Sequence, residues 1–142
     1  MNNITIRVMT IEDYDGAYVL WAATEGVGLN DDDSRGAIER QLAHSEGCSF
    51  VAVARDGGIV GAVLGAHDGR RGTIRHLAVA KEARGAGVGG ALVDAATAAM
   101  AARGIPKMWL VVFARNEGGN IFWEKMGFAP RDDLVYRNRS IL

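Results

Sequence analysis

The sequence predicts a mixed α/β fold: a mostly antiparallel sheet with one parallel pair of strands, flanked by helices. Three observations predict it. Short runs with period-two alternation of apolar and polar residues recur along the chain, as in Ile4 to Val8. Between 49 and 79 such runs follow one another across two glycine-containing turns, Asp56-Gly57-Gly58 and Asp68 to Gly72, which reads as an antiparallel meander. Between 73 and 113 an alanine-rich helix separates two strands, and a β-α-β unit of this kind makes its strands parallel with a right-handed crossover.

Each element has its own signals. Ile4, Ile6 and Val8 share one face of a first strand. Thr10 then offers a capping side chain, Glu12 and Asp13 favour the first helical turn, and Ile11, Tyr14, Tyr18 and Trp21 make a stripe on a helix to about Ala23. Thr24 to Asp33 is polar, acidic and glycine-containing. A second helix is predicted from Ser34 to His44, with Ile38 and Leu42 four apart. Strands follow at Ser49 to Ala54, Ile59 to Ala66 and Thr73 to Val79. The next helix runs to about Arg103, where Gly104 and Pro106 stop it. Lys107 to Phe113 reads as a strand, Asn116 to Met126 as a helix closed by Gly127, and Leu134 to Ser140 as a last strand.

Size and composition narrow the function. The 142 residues make one domain, 1–142, long enough for a real core. A net charge of −1 gives no strong field toward nucleic acid or membrane, so neither is an expected partner. The apolar share of 49% argues against disorder. A single cysteine, Cys48, excludes an internal disulfide and any cysteine-based metal cluster, and no metal is expected. Cys48 itself reads as a small buried apolar residue. The N-terminus has no signal-peptide apolar core, and the alanine-rich run 95–102 is too short and too weakly apolar to span a bilayer. A soluble cytoplasmic protein is expected.

The chain is organised around Leu77 to Gly90, LAVAKEARGAGVGG. A strand end leads through a polar turn into a glycine-rich helix start. Such a start presents bare backbone N–H groups and the positive end of the helix dipole, a site for phosphate or pyrophosphate. Arg84 adds a charged donor. Two motifs overlay these residues. Gly85-Ala86-Gly87-Val88-Gly89-Gly90 fits G-x-G-x-x-G, the dinucleotide fingerprint. Arg84 to Gly89 fits R-x-x-G-x-G, the pyrophosphate loop of acetyl-coenzyme A-dependent N-acetyltransferases. A dinucleotide site wants an acid roughly 20 positions on, at the end of the next strand. The strand Met108 to Phe113 carries none, and the first acid beyond it is Glu117. A purely architectural role, glycines allowing close helix–sheet packing, is the weaker reading of four glycines and an arginine at one helix start.

Asn116 to Phe128 reads NEGGNIFWEKMGF. With it the chain resembles the GNAT superfamily of N-acetyltransferases, whose pattern pairs LAV-x₄-R-G-x-G-x-G with a later N-x₅-[FL]-Y-x₃-G-F. Asn116, Phe122, Gly127 and Phe128 match the second half. The element order is similar over nearly the whole chain, most closely from Phe50 to Phe128. The resemblance implies a sheet whose central parallel strands splay into a V that admits acetyl-coenzyme A (acetyl-CoA) as co-substrate. It implies that Leu77, Ala78 and Val79 offer backbone groups to the pantetheine arm, as an added strand does. It also implies that the amides of Arg84, Gly85, Ala86, Gly87, Val88, Gly89 and Gly90 face the pyrophosphate, with Asn116, Phe122 and Trp123 beside the arm. Backbone N–H groups near 77–79 would face the thioester oxygen. The family often has a tyrosine acid where this chain has Trp123. An indole N–H is a donor only, so Trp123 cannot protonate a thiolate and reads as an aromatic wall. A thiol with a pKa of about 8.5 leaves tolerably without an acid.

The general base is not legible. Strict alternation puts Thr73, Arg75 and Leu77 on one face of their strand and Ile74, His76 and Ala78 on the other. Family members with a base on this strand carry it at the positions of Thr73 or Arg75, and neither is a base here. His76 then reads as a packed or surface histidine unless a bulge shifts the register. Glu25 and Asp68 are weak catalytic candidates. Glu25, Asp31 and Asp32 are weak acceptor-binding candidates, with Asp33 in the same acidic run; helix capping explains these acids about as well. The expected function is transfer of an acetyl group from acetyl-CoA to a primary amine, a small molecule or a peptide, by direct attack in a ternary complex. The alternatives are a non-catalytic acyl-CoA-binding or sensor module, favoured slightly by Trp123, and a nucleotide-dependent oxidoreductase, disfavoured by the missing acid. A homodimer stays open.

Overall fold

The computed structural model describes residues 3–142. Five strands form one sheet in the order β1-β2-β3-β4-β5: β1 Ile4–Val8, β2 Phe50–Ala54, β3 Ile59–His67, β4 Gly72–Val79 and β5 Met108–Trp109. The first three pairings are antiparallel and β4–β5 is parallel. The helices are α1 Tyr14–Ala22, α2 Arg35–His44, α3 Val88–Ala102 and α4 Glu117–Lys125. No helix among the described residues is long and apolar enough to cross a membrane.

Period-two alternation sorts the strand residues onto two faces. Val51, Ala62, Leu64 and Ala78 pack with Ala17, Leu20 and Trp21 of α1 and Ile38 of α2. Ala52, Val63 and Ile74 pack with Val88, Leu92, Val93 and Ala96 of α3. The central β3 is therefore buried on both faces, which accounts for its unbroken run Ala62-Val63-Leu64. Gly65 follows because there is no room for more: a Cβ there would lie 2.2 Å from the Cys48 carbonyl oxygen.

Four expectations need correction. Tyr18 is not on the buried stripe; it is 38% exposed, and α1 instead buries Ala17, Leu20 and Trp21, in step with a 3.6-residue turn starting from the partly buried Tyr14. The strand predicted to Phe113 stops at Trp109, because β5 pairs with β4 only at Gly72↔Met108 and Thr73↔Trp109 and then diverges. Leu134 to Ser140 is not a strand. It is exposed throughout, since the short β5 offers no edge to pair with. Finally, Ile74 and Ala78 lie on opposite faces of the sheet, because a bulge interrupts β4.

The start of α1 shows how the chain anchors a loop. Asp13 ends a single 3-10 turn, Ile11–Asp13. One of its oxygens accepts the Thr10 backbone N–H at 2.9 Å, and the carboxylate takes both terminal nitrogens of Arg7 at 2.8 Å. The Arg7 bonds hold the Asp13 carboxyl below its ordinary range. A lowered folded pKa stabilises the fold above the unfolded value of about 3.9 and loses that contribution as pH falls through the folded value. Asp13→Asn should therefore cost about 1–2 kcal/mol at pH 7, moderated because Arg7 is half open to solvent. In urea unfolding the gap to wild type should close as pH drops below 4.

Candidate active site

The segment after β4 keeps its glycines for two different reasons. Gly85 and Gly87 have φ of 81° and 80°, the left-handed region that glycine enters without strain. A Cβ at either would meet nothing within 4 Å, so their constraint is backbone shape beside open space. Gly89 and Gly90 face α4 instead: a Cβ at Gly89 would sit 3.4 Å from Phe122, and one at Gly90 3.8 Å from Met126. The packing role thus holds for two of the four. Gly87 caps α3 with no side-chain hydrogen bond, so among the described residues no side chain claims this helix start, the positive end of its dipole. Arg84 donates its Nε to the Val79 carbonyl at 2.9 Å, which fixes the guanidinium beside the loop.

The cleft arises where β4 and β5 part. Beyond Thr73↔Trp109 the two strands no longer pair, while β4 continues to Val79. Phe122 and Trp123 of α4 pack on the same cluster as Leu77 and Val79 of β4 and Met108 of β5. Trp123 stands edge-on to Phe122 at 5.0 Å and to Phe128 at 5.2 Å, an aromatic wall packed against the α3-side core. Asn116 caps α4, its Oδ1 accepting the Gly119 N–H at 2.9 Å. Its amide nitrogen lies 3.2 Å from where a Cβ on Gly26 would be, so the α1–α2 segment approaches the head of α4.

The other end of that segment reaches β4. Leu64↔Arg75 and Ala62↔Ala78 bracket one residue on β3 and two on β4, so His76 and Leu77 together oppose Val63. His76 absorbs the extra residue with φ 55°, a left-handed conformation uncommon outside glycine. Its ring turns to the α1 side, edge-on to Trp21 with centroids 5.2 Å apart. His76 Nε2 lies 2.6 Å from Asp33 Oδ1, with both side chains largely buried. Asp33 ends a 3-10 turn as Asp13 does, its other oxygen accepting the Asn30 N–H at 2.9 Å. Strict alternation hid this pair. The visible signal was the apolar spacing Ile74, Leu77, Val79, which breaks phase at His76.

The other acids stand elsewhere. Glu25, Asp31 and Asp32 are exposed on the α1–α2 segment. Asp68 sits in the β3–β4 turn, where its Oδ1 accepts the Arg70 and Arg71 N–H groups at 2.8 and 2.9 Å. The Arg71 and Arg70 amides hold its carboxyl below the ordinary range, which weakens it as a base. Cys48 is fully buried, and burial pushes its thiol up, so it is no nucleophile.

Comparison with known proteins defines the class. The profile of the Acetyltransferase (GNAT) family matches residues 14–128. An acetyltransferase of Pectobacterium atrosepticum is 32% identical over 136 residues, covering 96% of this chain and 95% of that protein. The chain therefore belongs to the GNAT family of acetyltransferases. Two solved structures share the fold. Ard1 from Thermoplasma volcanium aligns with a TM-score of 0.79 at 23% identity, over 89% of this chain and 83% of that one. AAC(6')-Iy, in complex with the bisubstrate analogue CoA-S-monomethyl-acetylneamine, aligns with a TM-score of 0.77 at 18% identity, over 97% of this chain and 99% of that one.

Proposed function

We propose that residues 1–142 act as one domain that transfers the acetyl group of acetyl-CoA to a primary amine by direct attack in a ternary complex. The observation that carries this reading is the parting of β4 and β5 beside a glycine-rich helix start whose cap, Gly87, brings no side chain. Leu77, Ala78 and Val79 would present backbone groups to the pantetheine arm, as one more strand on β4. The amides from Arg84 to Gly90, with the Arg84 guanidinium, would take the pyrophosphate. Asn116, Phe122 and Trp123 would flank the arm. The amine would enter along residues 24–33, where Glu25, Asp31 and Asp32 offer negative charge to a cation. The bisubstrate analogue bound by AAC(6')-Iy joins a CoA part to an acetylneamine part, which supports simultaneous occupation of both sites. The burial of Cys48 supports direct attack over an acyl-enzyme.

Thiol release from acetyl-CoA with a panel of polyamines, aminoglycosides, amino acids and peptides tests the proposal. Release above the hydrolytic blank with at least one primary amine is expected, and none with any would sink it. In the same assay Trp123→Phe should keep most of the turnover. A fall matching one hydrogen bond to a charged group, about 1.5–3 kcal/mol, would show that the indole N–H serves the leaving sulfur.

A further inference from the structure

The geometry points to His76, held by Asp33, as the group that takes the proton from the attacking amine. This deepens the amine-transfer reading and rests on it. His76 immediately precedes Leu77, the first of the three residues assigned to the pantetheine arm. It occupies the bulge at φ 55°, and a left-handed non-glycine residue costs about 1–2 kcal/mol. That cost turns the ring out of the strand's alternation and onto the α1–α2 segment, the acceptor side.

The ring is fixed there from several directions. An ionised carboxylate is acceptor-only, so the 2.6 Å bond to Asp33 Oδ1 puts the proton on Nε2. In the neutral ring Nδ1 then carries the lone pair, the condition for a base. Asp33 is itself pinned: Asn30 N–H donates to its Oδ2 at 2.9 Å, and Tyr14 Oη donates to its carbonyl at 2.6 Å. The His76 side chain keeps 14% exposure, so the pair is enclosed but reachable. Beside it the Trp21 indole N–H is buried with no hydrogen-bond partner among the described residues. A buried donor left unpaired costs about 1–3 kcal/mol, and an acceptor brought to this N–H would recover it.

Asp13 shows the purely structural version of the same device. It too ends a 3-10 turn and accepts the N–H of the residue before that turn, but its partner is Arg7, a permanent cation gripped at two nitrogens. At Asp33 the partner is titratable, strained and next to the cleft. None of Glu25, Asp31, Asp32 or Asp68 is held in this way.

The step balances as follows. An alkylammonium gives one proton to His76 Nδ1, and the freed lone pair forms the C–N bond at the thioester carbon. The C–S bond breaks, its electron pair leaves on sulfur, and the second amine proton ends on the thiolate. The imidazolium then returns its proton to solvent, leaving the N-acetylated amine and the free thiol.

The test exploits acceptors that need no base. His76→Asn keeps a residue tolerant of left-handed φ, and His76→Gly takes that φ without strain should the first variant not fold. With the best alkylamine of the panel, turnover should fall about 100-fold, but with hydroxylamine, unprotonated at pH 7, by no more than about fivefold. Calorimetric affinity for acetyl-CoA should be unchanged. Asp33→Asn should show the same selective loss: if its amide oxygen keeps the Asn30 N–H, its NH₂ faces Nε2 and forces the proton onto Nδ1. Equal losses with both acceptors, unchanged alkylamine turnover, or loss of acetyl-CoA binding would overturn the role of His76 while amine transfer by the wild type stands. Wild type silent toward every amine would overturn both readings.

Discussion

Gly87→Asp should weaken acetyl-CoA by about 100-fold in calorimetry and leave acetyl-pantetheine, which lacks the pyrophosphate, almost unaffected. Position 87 is where α3 begins, with its N–H groups unclaimed by any side chain among the described residues. A carboxylate there would occupy the positive end of the helix and repel the pyrophosphate, and like charges brought together cost several kcal/mol, where each 1.4 kcal/mol is tenfold in affinity. The left-handed φ of 80° adds strain, but bound and free forms share it, so it lowers stability and not the difference between ligands. Arg84→Ala should follow the same pattern with a smaller loss, about tenfold, through one charge-assisted bond. Equal losses for both ligands would remove the pyrophosphate from this loop.

Gly65→Ala should lower the midpoint of thermal unfolding by about 6–12 °C. The added Cβ would lie 2.2 Å from the Cys48 carbonyl oxygen and 3.3 Å from Met100 Cε. A methionine can swing away; a carbonyl in the backbone cannot. The chain before β2 would have to retreat, stretching the bond from the Gly65 N–H to Ser49 Oγ, now 3.0 Å. Overpacking of this kind costs about 3 kcal/mol, and each kcal/mol is worth about 2–4 °C at this chain length. A midpoint within a degree of wild type would mean that the β2–β3 contact has slack.

The sequence spoke clearly where one periodicity ruled. The meander from β2 to β4, the crossover through α3 and the helices that follow Ser34 and Asn116 lie within a residue or two of where alternation, glycines and apolar spacing placed them. It spoke poorly where tertiary geometry overrode local preference. Trp109, Val111 and Phe113 alternate like a strand, yet β5 stops because its parallel partner turns away, and that divergence is a property of two strands, not of either one. The same missing edge leaves Leu134 to Ser140 unpaired despite its β-forming residues. Asp33 and His76 lie 43 positions apart, and no local pattern announces their contact. Only the phase break between Ile74 and Leu77 marked where the ladder slips.

The bulge has a consequence for lengths of chain. Remove His76 altogether, and Arg75 would join Leu77 with Leu77 opposite Val63, Ala78 still opposite Ala62 and Val79 still opposite Gly61. Ile74 and Leu77 would then alternate normally toward α3, and Ala78 toward α1, with no left-handed residue left in the strand. The hydrophobic framework is thus that of a chain one residue shorter. A one-codon deletion at 76 would spare both cores and relieve the backbone, taking away only the imidazole and the partner of a buried carboxylate. By the spacing of the two cores alone His76 is an extra residue; what the insertion adds is the bulge itself and a ring set between Asp33 and Trp21.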